Sequence, residues 1–114
     1  MTQYLISFDN GAMDHIPEED MPEVAKAAMS VIREARSTGV YVFSGGLVYP
    51  LDVSVVATDG MVTDGPFPES KEYIGGLMVV DVPTREEALE WAAKTAAACR
   101  CAQEVREFQP EPDL

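Results

Sequence analysis

The spacing of apolar residues along the chain predicts seven regular segments. Residues 3–8 alternate in a two-residue period, with Tyr4, Ile6 and Phe8 on one face, which predicts a strand. Apolar residues then recur at helical spacing from about Glu19 to Thr38, at Met21, Val24, Ala28, Val31, Ile32 and Ala35. The same reasoning predicts strands at 40–47, 53–58 and 72–82, a second helix from Thr84, and a last strand at 102–108. We expect the overall order β, α, β, β, α, β, to which the strand at 53–58 adds one segment.

Local signals mark how these segments begin and end. Asp59-Gly60 lies between two β-prone runs and predicts a hairpin turn with positive φ at both central residues, so that residues 61–63 pair back on residues 53–58. Thr84 and Glu87 have the spacing of a capping box at the start of the second helix. The pair Gly45-Gly46 indicates a bulge or a close backbone approach.

This order of segments predicts an α+β fold. Two helices separated by strands in this way give a ferredoxin-like βαββαβ antiparallel sheet with both helices on one face. The strand at 72–82 is apolar on both faces, because Ile74, Met78 and Val80 alternate with Leu77 and Val79. The sheet face without helices therefore needs a cover, and we expect a homodimer formed through that open face.

Composition narrows the class of protein. The chain has 114 residues and a formal net charge of −12, so we expect one domain at 1–109, followed by an acidic tail at 110–114. A surface this negative repels nucleic-acid backbones and anionic membranes, so we expect neither as a partner. No apolar run approaches the roughly 20 residues of a membrane span. The N-terminal residues lack a signal-like pattern, and we expect a cytoplasmic protein.

The sequence shows no cofactor or metal motif. Cys99 and Cys101 stand one residue apart and His15 is the single histidine, which is too few ligands for a four-ligand zinc site, so we expect no metal. Gly45-Gly46 is not followed by the lysine and helix of a nucleotide-binding loop. The cofactor is unknown at this stage.

The stretch MVTDGPFPESKEYIGG, residues 61–76, carries the main candidate site. Gly65 and Pro66 predict a tight turn that directs Asp64 and Phe67. If the turn edges a pocket, Asp64 or Glu69 acts as general base, Lys71 holds an anionic group, and Phe67 and Glu72 contribute to binding. The alternative is a turn-forming Asp64 beside a solvated charge cluster.

Two further residues are candidates outside this stretch. His15 lies in a loop among acidic residues, which suits acid–base catalysis, although such a histidine is also commonly just solvated. Arg106 belongs to the last strand and is a candidate binding residue, with pairing to Glu104 or a helix acid as the alternative.

The order of these motifs resembles the DGPF-domain branch of the YCII-related family. The residues that match are Asp64, Gly65, Pro66, Phe67, Glu69, Ser70, Lys71 and Glu72, together with the helix segment EALEWA and the closing segment EVREF at 104–108. The resemblance covers most of residues 39–108. It implies a dimeric ferredoxin-like α+β barrel without an assigned substrate. The wider family carries a suspected catalytic His–Asp pair, but the first helix here has no histidine.

Two functions stay open on the sequence. One is an enzyme that acts on a small organic molecule in a cleft edged by the DGPF turn, with Asp64, Glu69 and His15 as its catalytic residues. The other is a non-catalytic ligand-binding or regulatory module, which the missing histidine favours. The substrate and the reaction cannot be read from the residues.

Overall fold

The computed structural model describes residues 1–48, 53–65 and 73–111. Six strands and two helices follow one another in the order β, α, β, β, β, β, α, β, which is the expected β, α, β, β, α, β with a hairpin inserted between its second and third strands. The strands are β1 (Thr2–Asp9), β2 (Tyr41–Gly46), β3 (Ser54–Val56), β4 (Val62–Asp64), β5 (Ile74–Val82) and β6 (Glu104–Glu107). The helices are α1 (Met21–Ser37), which follows a short 3-10 turn at Glu18–Asp20, and α2 (Arg85–Cys99).

Four strands form the main sheet in the order β2-β5-β1-β6, with every neighbouring pair antiparallel. The two central strands, β1 and β5, are therefore the first and third strands of the main sheet along the chain, as the ferredoxin-like arrangement requires. The α+β, ferredoxin-like prediction is confirmed. Strands β3 and β4 form a separate two-stranded sheet, the β3–β4 hairpin.

The core lies between one face of the main sheet and the two helices. Burial along β5 alternates, so that Met78, Val80 and Val82 are buried while the residues between them are half-buried. Ile6, Val80 and Val82 are fully covered, and Ala88 and Trp91 of α2 pack against the same cluster. Each large aliphatic side chain buried in this way contributes about 1.5–3 kcal/mol.

Helix α1 is less buried than its apolar stripe predicts. Val24 and Ala35 are buried, whereas Ala28, Val31 and Ile32 are half-buried and Met21 is exposed. On α2, Ala88 and Ala92 are buried, whereas Leu89 between them is exposed. The apolar stripe of α1 therefore faces the sheet, but the sheet does not cover the stripe along its whole length.

The β3–β4 hairpin confirms the predicted pairing but not the predicted turn. Gly60 has a positive φ of 88° and Asp59 does not. The amide of Gly60 donates to the carbonyl of Ala57, and the carboxylate of Asp59 accepts from the amide of Met61. The connection is therefore a three-residue loop that ends in a left-handed glycine, and the aspartate holds it by a side-chain hydrogen bond.

Strand β2 is irregular, but not at Gly45-Gly46, where the sequence indicated a bulge. Gly45 and Gly46 pair regularly with Leu77 and Gly76, and the irregularity in the β2–β5 ladder lies earlier, between Tyr41 and Phe43. The glycines therefore leave the sheet surface uncovered at this end of β2 without distorting it.

Exposed ion pairs join the two helices. Lys94 on α2 pairs with Glu34 on α1, and Arg100 after α2 pairs with Asp20 before α1 at 3.0 Å. Pairs as exposed as these contribute about 0–1 kcal/mol each, so they orient the helices more than they stabilise them. Within the described ranges, no helix is long and apolar enough to cross a membrane.

Candidate functional site

A cavity of about 480 Å³ lies between the helices and one end of the main sheet. We call it the helix–sheet cavity. Its walls come from α1, the C-terminal part of α2, the ends of β1 and β2, and the middle of β5. The described lining residues are Phe8, Met13, Met21, Val24, Ala25, Ala28, Met29, Val31, Ile32, Ser44, Gly45, Gly46, Leu77, Met78, Thr95, Ala98, Cys99 and Gln103.

Small residues on facing walls create this space. Ala25 and Ala28 on α1 face the glycines of β2, and Ala98 lies on the α2 side. A Leu or Ile at these positions would fill the gap with packed methyl groups, as the cores of most small domains do. The half-buried stripe of α1 is thus the wall of a cavity.

The lining is almost entirely apolar. Among the described residues its polar side chains are Ser44, Thr95, Cys99 and Gln103, and none carries a charge at neutral pH. The Ser44 hydroxyl hydrogen-bonds to the Tyr41 hydroxyl at 2.8 Å. The Thr95 hydroxyl donates to the carbonyl of Trp91 at 2.9 Å. Both hydroxyls are therefore already engaged within the protein.

Gln103 has an unusual environment. Its Nε2 donates to the carbonyl of Cys101 at 3.3 Å, whereas its Oε1 is buried without a hydrogen-bond partner. A buried oxygen left unpaired costs about 1–3 kcal/mol. Such a group at the edge of a cavity is a candidate recognition group for a ligand that donates a hydrogen bond, reached when the side-chain amide turns into the cavity.

The two thiols differ in their surroundings. Cys99 is buried at the cavity wall, and burial raises the pKa of its thiol, with a smaller contribution from the neighbouring Cys101. Burial also raises the pKa of the Cys101 thiol, against the effect of the Gln103 hydrogen bond. Both cysteines are free. A raised pKa keeps a thiol protonated and weakly nucleophilic, so Cys99 acts here as an apolar wall.

A second cavity, of about 360 Å³, adjoins the first and contains His15. We call it the His15 cavity. Its lining combines His15 with Asp9, Cys101 and Glu104, and it shares Phe8 and Gln103 with the helix–sheet cavity. In the described part of the chain, no group of three His, Cys, Asp or Glu side chains is placed to hold a metal ion.

The candidate residues identified from the sequence are spread over the molecule. Asp64 ends β4 on the exposed hairpin. Arg106 lies on the sheet face away from the helices, paired in register with Leu5. Among the described residues, neither Asp64 nor Arg106 lines either cavity. No described hydrogen bond or ion pair joins Asp64 or Arg106 to His15. Phe67, Glu69, Lys71 and Glu72 lie outside the described residues.

The turn after Asp64 is held closely at its first residue. The amide of Gly65 donates to the carbonyl of Val53 at 2.7 Å. A Cβ at Gly65 would lie 2.8 Å from the Val53 side chain and 2.9 Å from the Val55 side chain. The glycine of the DGPF stretch is therefore required by the close approach of the Val53 and Val55 side chains.

The helix–sheet cavity was not anticipated from the sequence. In the sequence each wall has the pattern of an ordinary apolar face, and the family resemblance pointed instead to residues 61–76. The one available signal was the coincidence of small residues, namely alanines on both helices and paired glycines on β2, on faces that the fold brings together.

Comparison with protein families agrees with the fold and with the motifs. The model of the YCII-related domain matches residues 5–109. The chain belongs to the YCII-related family. The resemblance drawn from residues 62–94 and 104–108 is thereby confirmed. A search of curated proteins found no match to the chain.

Proposed function

We propose that this YCII-related protein binds a small organic molecule in the helix–sheet cavity. The observation that carries the proposal is the cavity itself, because its volume of about 480 Å³ lies within the range of small-molecule sites. It is also lined mainly by hydrophobic side chains with a few polar groups, as such sites are.

The exposure of the lining supports this function. Met21 and Met29 are exposed at the edge of the cavity, as are Ala25, Gly45 and Gly46. Removing apolar surface from water contributes about 25 cal/mol per Å². A ligand that covers this apolar lining would therefore stabilise the fold.

The lining favours binding without catalysis. Proton transfer needs a side chain that exchanges a proton near neutral pH and lies within reach of the ligand. In the described walls the one ionisable group is Cys99, whose pKa is raised by burial. We therefore favour a non-catalytic ligand-binding module.

The His15 cavity supports an enzyme as the second candidate. It places a histidine, two carboxylates and a thiol around one space beside the apolar cavity. A ligand that spans both cavities would present its polar end to His15, which would act as the acid–base group.

A thermal-shift screen of small metabolites tests the binding function. We expect a ligand that raises the melting temperature of the wild type but not of Ala28→Leu, which fills the cavity from α1. Ala27→Leu is the matched control, because the neighbouring Ala27 is also half-buried and does not belong to the described lining. Ligands that stabilise Ala28→Leu as well as the wild type would contradict the helix–sheet cavity as the site.

The same screen distinguishes binding at the DGPF turn from binding in the helix–sheet cavity. A ligand lost in Asp64→Ala but kept in Ala28→Leu would place the site at the turn and support the cleft identified from the sequence. Mass analysis of each ligand after incubation tests catalysis. Conversion by the wild type but not by His15→Ala would establish the enzyme in place of the binding module.

We further propose that two copies of the chain pair through the open sheet face. Phe43, Val79, Leu5 and Arg106 are partners in register, so one row across four strands faces away from the helices. Phe43 is 60% exposed. The row is apolar at three of its four positions, and such a row within reach of water is typical of a surface covered by a partner. A two-fold axis makes the same row its own complement.

Sedimentation velocity tests this pairing. We expect a particle of twice the 12.4 kDa chain mass for the wild type. Val79→Lys should give a monomer, since a lysine at the centre of the row would be buried without a partner. Val56→Lys, on the exposed hairpin, is the control and should leave the mass unchanged. A monomeric wild type at micromolar concentration would rule out a stable dimer.

A further inference from the structure

We propose that the ligand of the helix–sheet cavity is an uncharged, hydrocarbon-rich molecule with on the order of a dozen non-hydrogen atoms and a single hydrogen-bonding end. This inference rests on the proposed binding function and specifies the class of ligand. It therefore excludes the carboxylates, phosphates and ammonium compounds that form a large part of cellular metabolites.

The absence of charge in the described walls determines the charge of the ligand. An ion transferred from water into an apolar site loses its hydration and needs a charged or multiply hydrogen-bonding partner in return. The described lining offers no such partner, and the chain as a whole carries a net charge of −12, which adds repulsion for anions. A neutral ligand has no such loss.

The hydrogen-bonding state of the lining limits the polar part of the ligand. The Ser44 hydroxyl is paired with the Tyr41 hydroxyl and the Thr95 hydroxyl donates to the Trp91 carbonyl, although each keeps an acceptor lone pair. Among the polar side-chain atoms of the described lining, the Gln103 Oε1 is the one that is buried without a hydrogen-bond partner. A ligand therefore gains most from a hydrogen-bond donor at the end near Gln103, and the apolar lining matches an apolar remainder.

The methionine side chains allow the cavity to accept ligands of different shapes. Met13, Met21, Met29 and Met78 contribute to the lining. Methionine side chains are unbranched and polarisable, so they adjust to ligands of different outline. A volume of about 480 Å³ equals that of about 16 water molecules in the liquid, which sets the size given above. We expect selection by charge and length, with little selection by shape.

Three octyl compounds of nearly equal size test the class of ligand. Octanamide is neutral, octanoate is its anionic counterpart, and octylammonium is cationic. Binding is followed by nuclear magnetic resonance of the methionine methyl groups, of which the chain has six. Octanamide should shift the signals of the four cavity methionines and leave those of Met1 and Met61 in place, because these two lie outside the described lining.

We expect octanoate and octylammonium to bind at least tenfold more weakly than octanamide. Within the neutral amides, affinity should rise about fourfold for each added methylene until the cavity is full. Ala98→Leu should weaken octanamide binding at least tenfold, whereas Ala97→Leu, its exposed neighbour on α2, should not.

The possible failures can be told apart. If either ion moves the cavity methionines with an affinity within tenfold of octanamide, the neutral class is wrong and the binding function stands. If octanamide does not bind while the metabolite screen finds another ligand that Ala28→Leu abolishes, the class is again wrong. If no compound in either experiment acts on the cavity, the proposed function fails together with this inference.

Discussion

At the residue scale, Gly76 affects the shape of both cavities because it has no side chain. Gly76 is buried on β5 opposite Phe8 of β1. A Cβ at this position would lie less than 3.0 Å from two atoms of the Phe8 ring. The glycine thus allows the ring to lie flat against the sheet, where it contributes to the walls of the helix–sheet cavity and of the His15 cavity.

Gly76→Ala should therefore destabilise the fold by about 1–3 kcal/mol, the usual cost of forcing an extra methyl group into a packed site. Urea denaturation measures the change. The control is the double variant with Phe8→Ala, in which the methyl group no longer meets a ring. The cost of Gly76→Ala should largely disappear in that background, and a cost that persists would show that the strand itself requires a glycine.

The buried Cys99 thiol predicts a pH dependence. Burial raises the pKa of Cys99 in the folded state, so the unfolded chain loses this proton first as the pH rises. The contribution of Cys99 to the unfolding free energy should therefore be constant below about pH 8, and it should fall as the pH rises above the ordinary thiol pKa of about 8.5. Urea denaturation between pH 7 and 9.5 measures it.

Cys99→Ala provides the comparison for that slope. The substitution lowers stability at all pH values by removing buried atoms, so only the pH dependence is compared. We expect a shallower alkaline fall in the variant, with Cys101 accounting for part of what remains because its pKa is raised as well. An unchanged slope would show that the Cys99 thiol is equally accessible to water in both states.

At the scale of elements, the N-cap of α2 was predictable from the sequence, and the structure shows one of the two hydrogen bonds of a capping box there. Thr84 is the N-cap of the helix, and its hydroxyl accepts a hydrogen bond from the amide of Glu87 at 3.2 Å. Thr84→Ala should cost about 1 kcal/mol in unfolding free energy. Thr84→Ser keeps the acceptor and should recover most of it, and equal losses in the two variants would mean that the cap does not stabilise the helix.

The elements also show where sequence reasoning stops. Strands and helices follow from short-range periodicity, and their order determined the ferredoxin-like sheet. The α1 stripe has the same pattern whether its residues pack tightly or line a cavity, because the outcome depends on side-chain volumes across the gap, on β2 and α2. The turn at Asp59-Gly60 likewise differs from the expected form because one side-chain hydrogen bond selects between loops of similar sequence.

The candidate site was less predictable than the fold for a related reason. A motif such as residues 64–72 indicates relatedness through its residue order, whereas a cavity is defined by residues that are scattered along the chain. His15 is the sequence candidate that the structure places at a cavity, beside Asp9 and Glu104. Asp64 and Arg106 lie on different surfaces of the molecule.

At the scale of the whole molecule, charge opposes the compact state. The net charge of −12 is spread over a chain of 114 residues, so carboxylates repel one another across the surface. The described ion pairs offset little of this repulsion, because Lys94–Glu34 and Arg100–Asp20 are exposed. Dissolved salt shortens the range of exposed interactions, from about 30 Å at 0.01 M to about 8 Å at 0.15 M.

Salt should therefore raise the melting temperature of this protein, since the repulsion it screens exceeds the attraction. Calorimetry from about 0.01 M to 0.15 M sodium chloride, a range in which screening dominates over other salt effects, measures the shift. Glu34→Gln gives a matched test, since it removes one negative charge together with one exposed ion pair. If net repulsion dominates, the variant should be at least as stable as the wild type at low salt. A melting temperature that falls with salt, with a destabilised Glu34→Gln, would show instead that attractive pairs between the helices dominate the electrostatics.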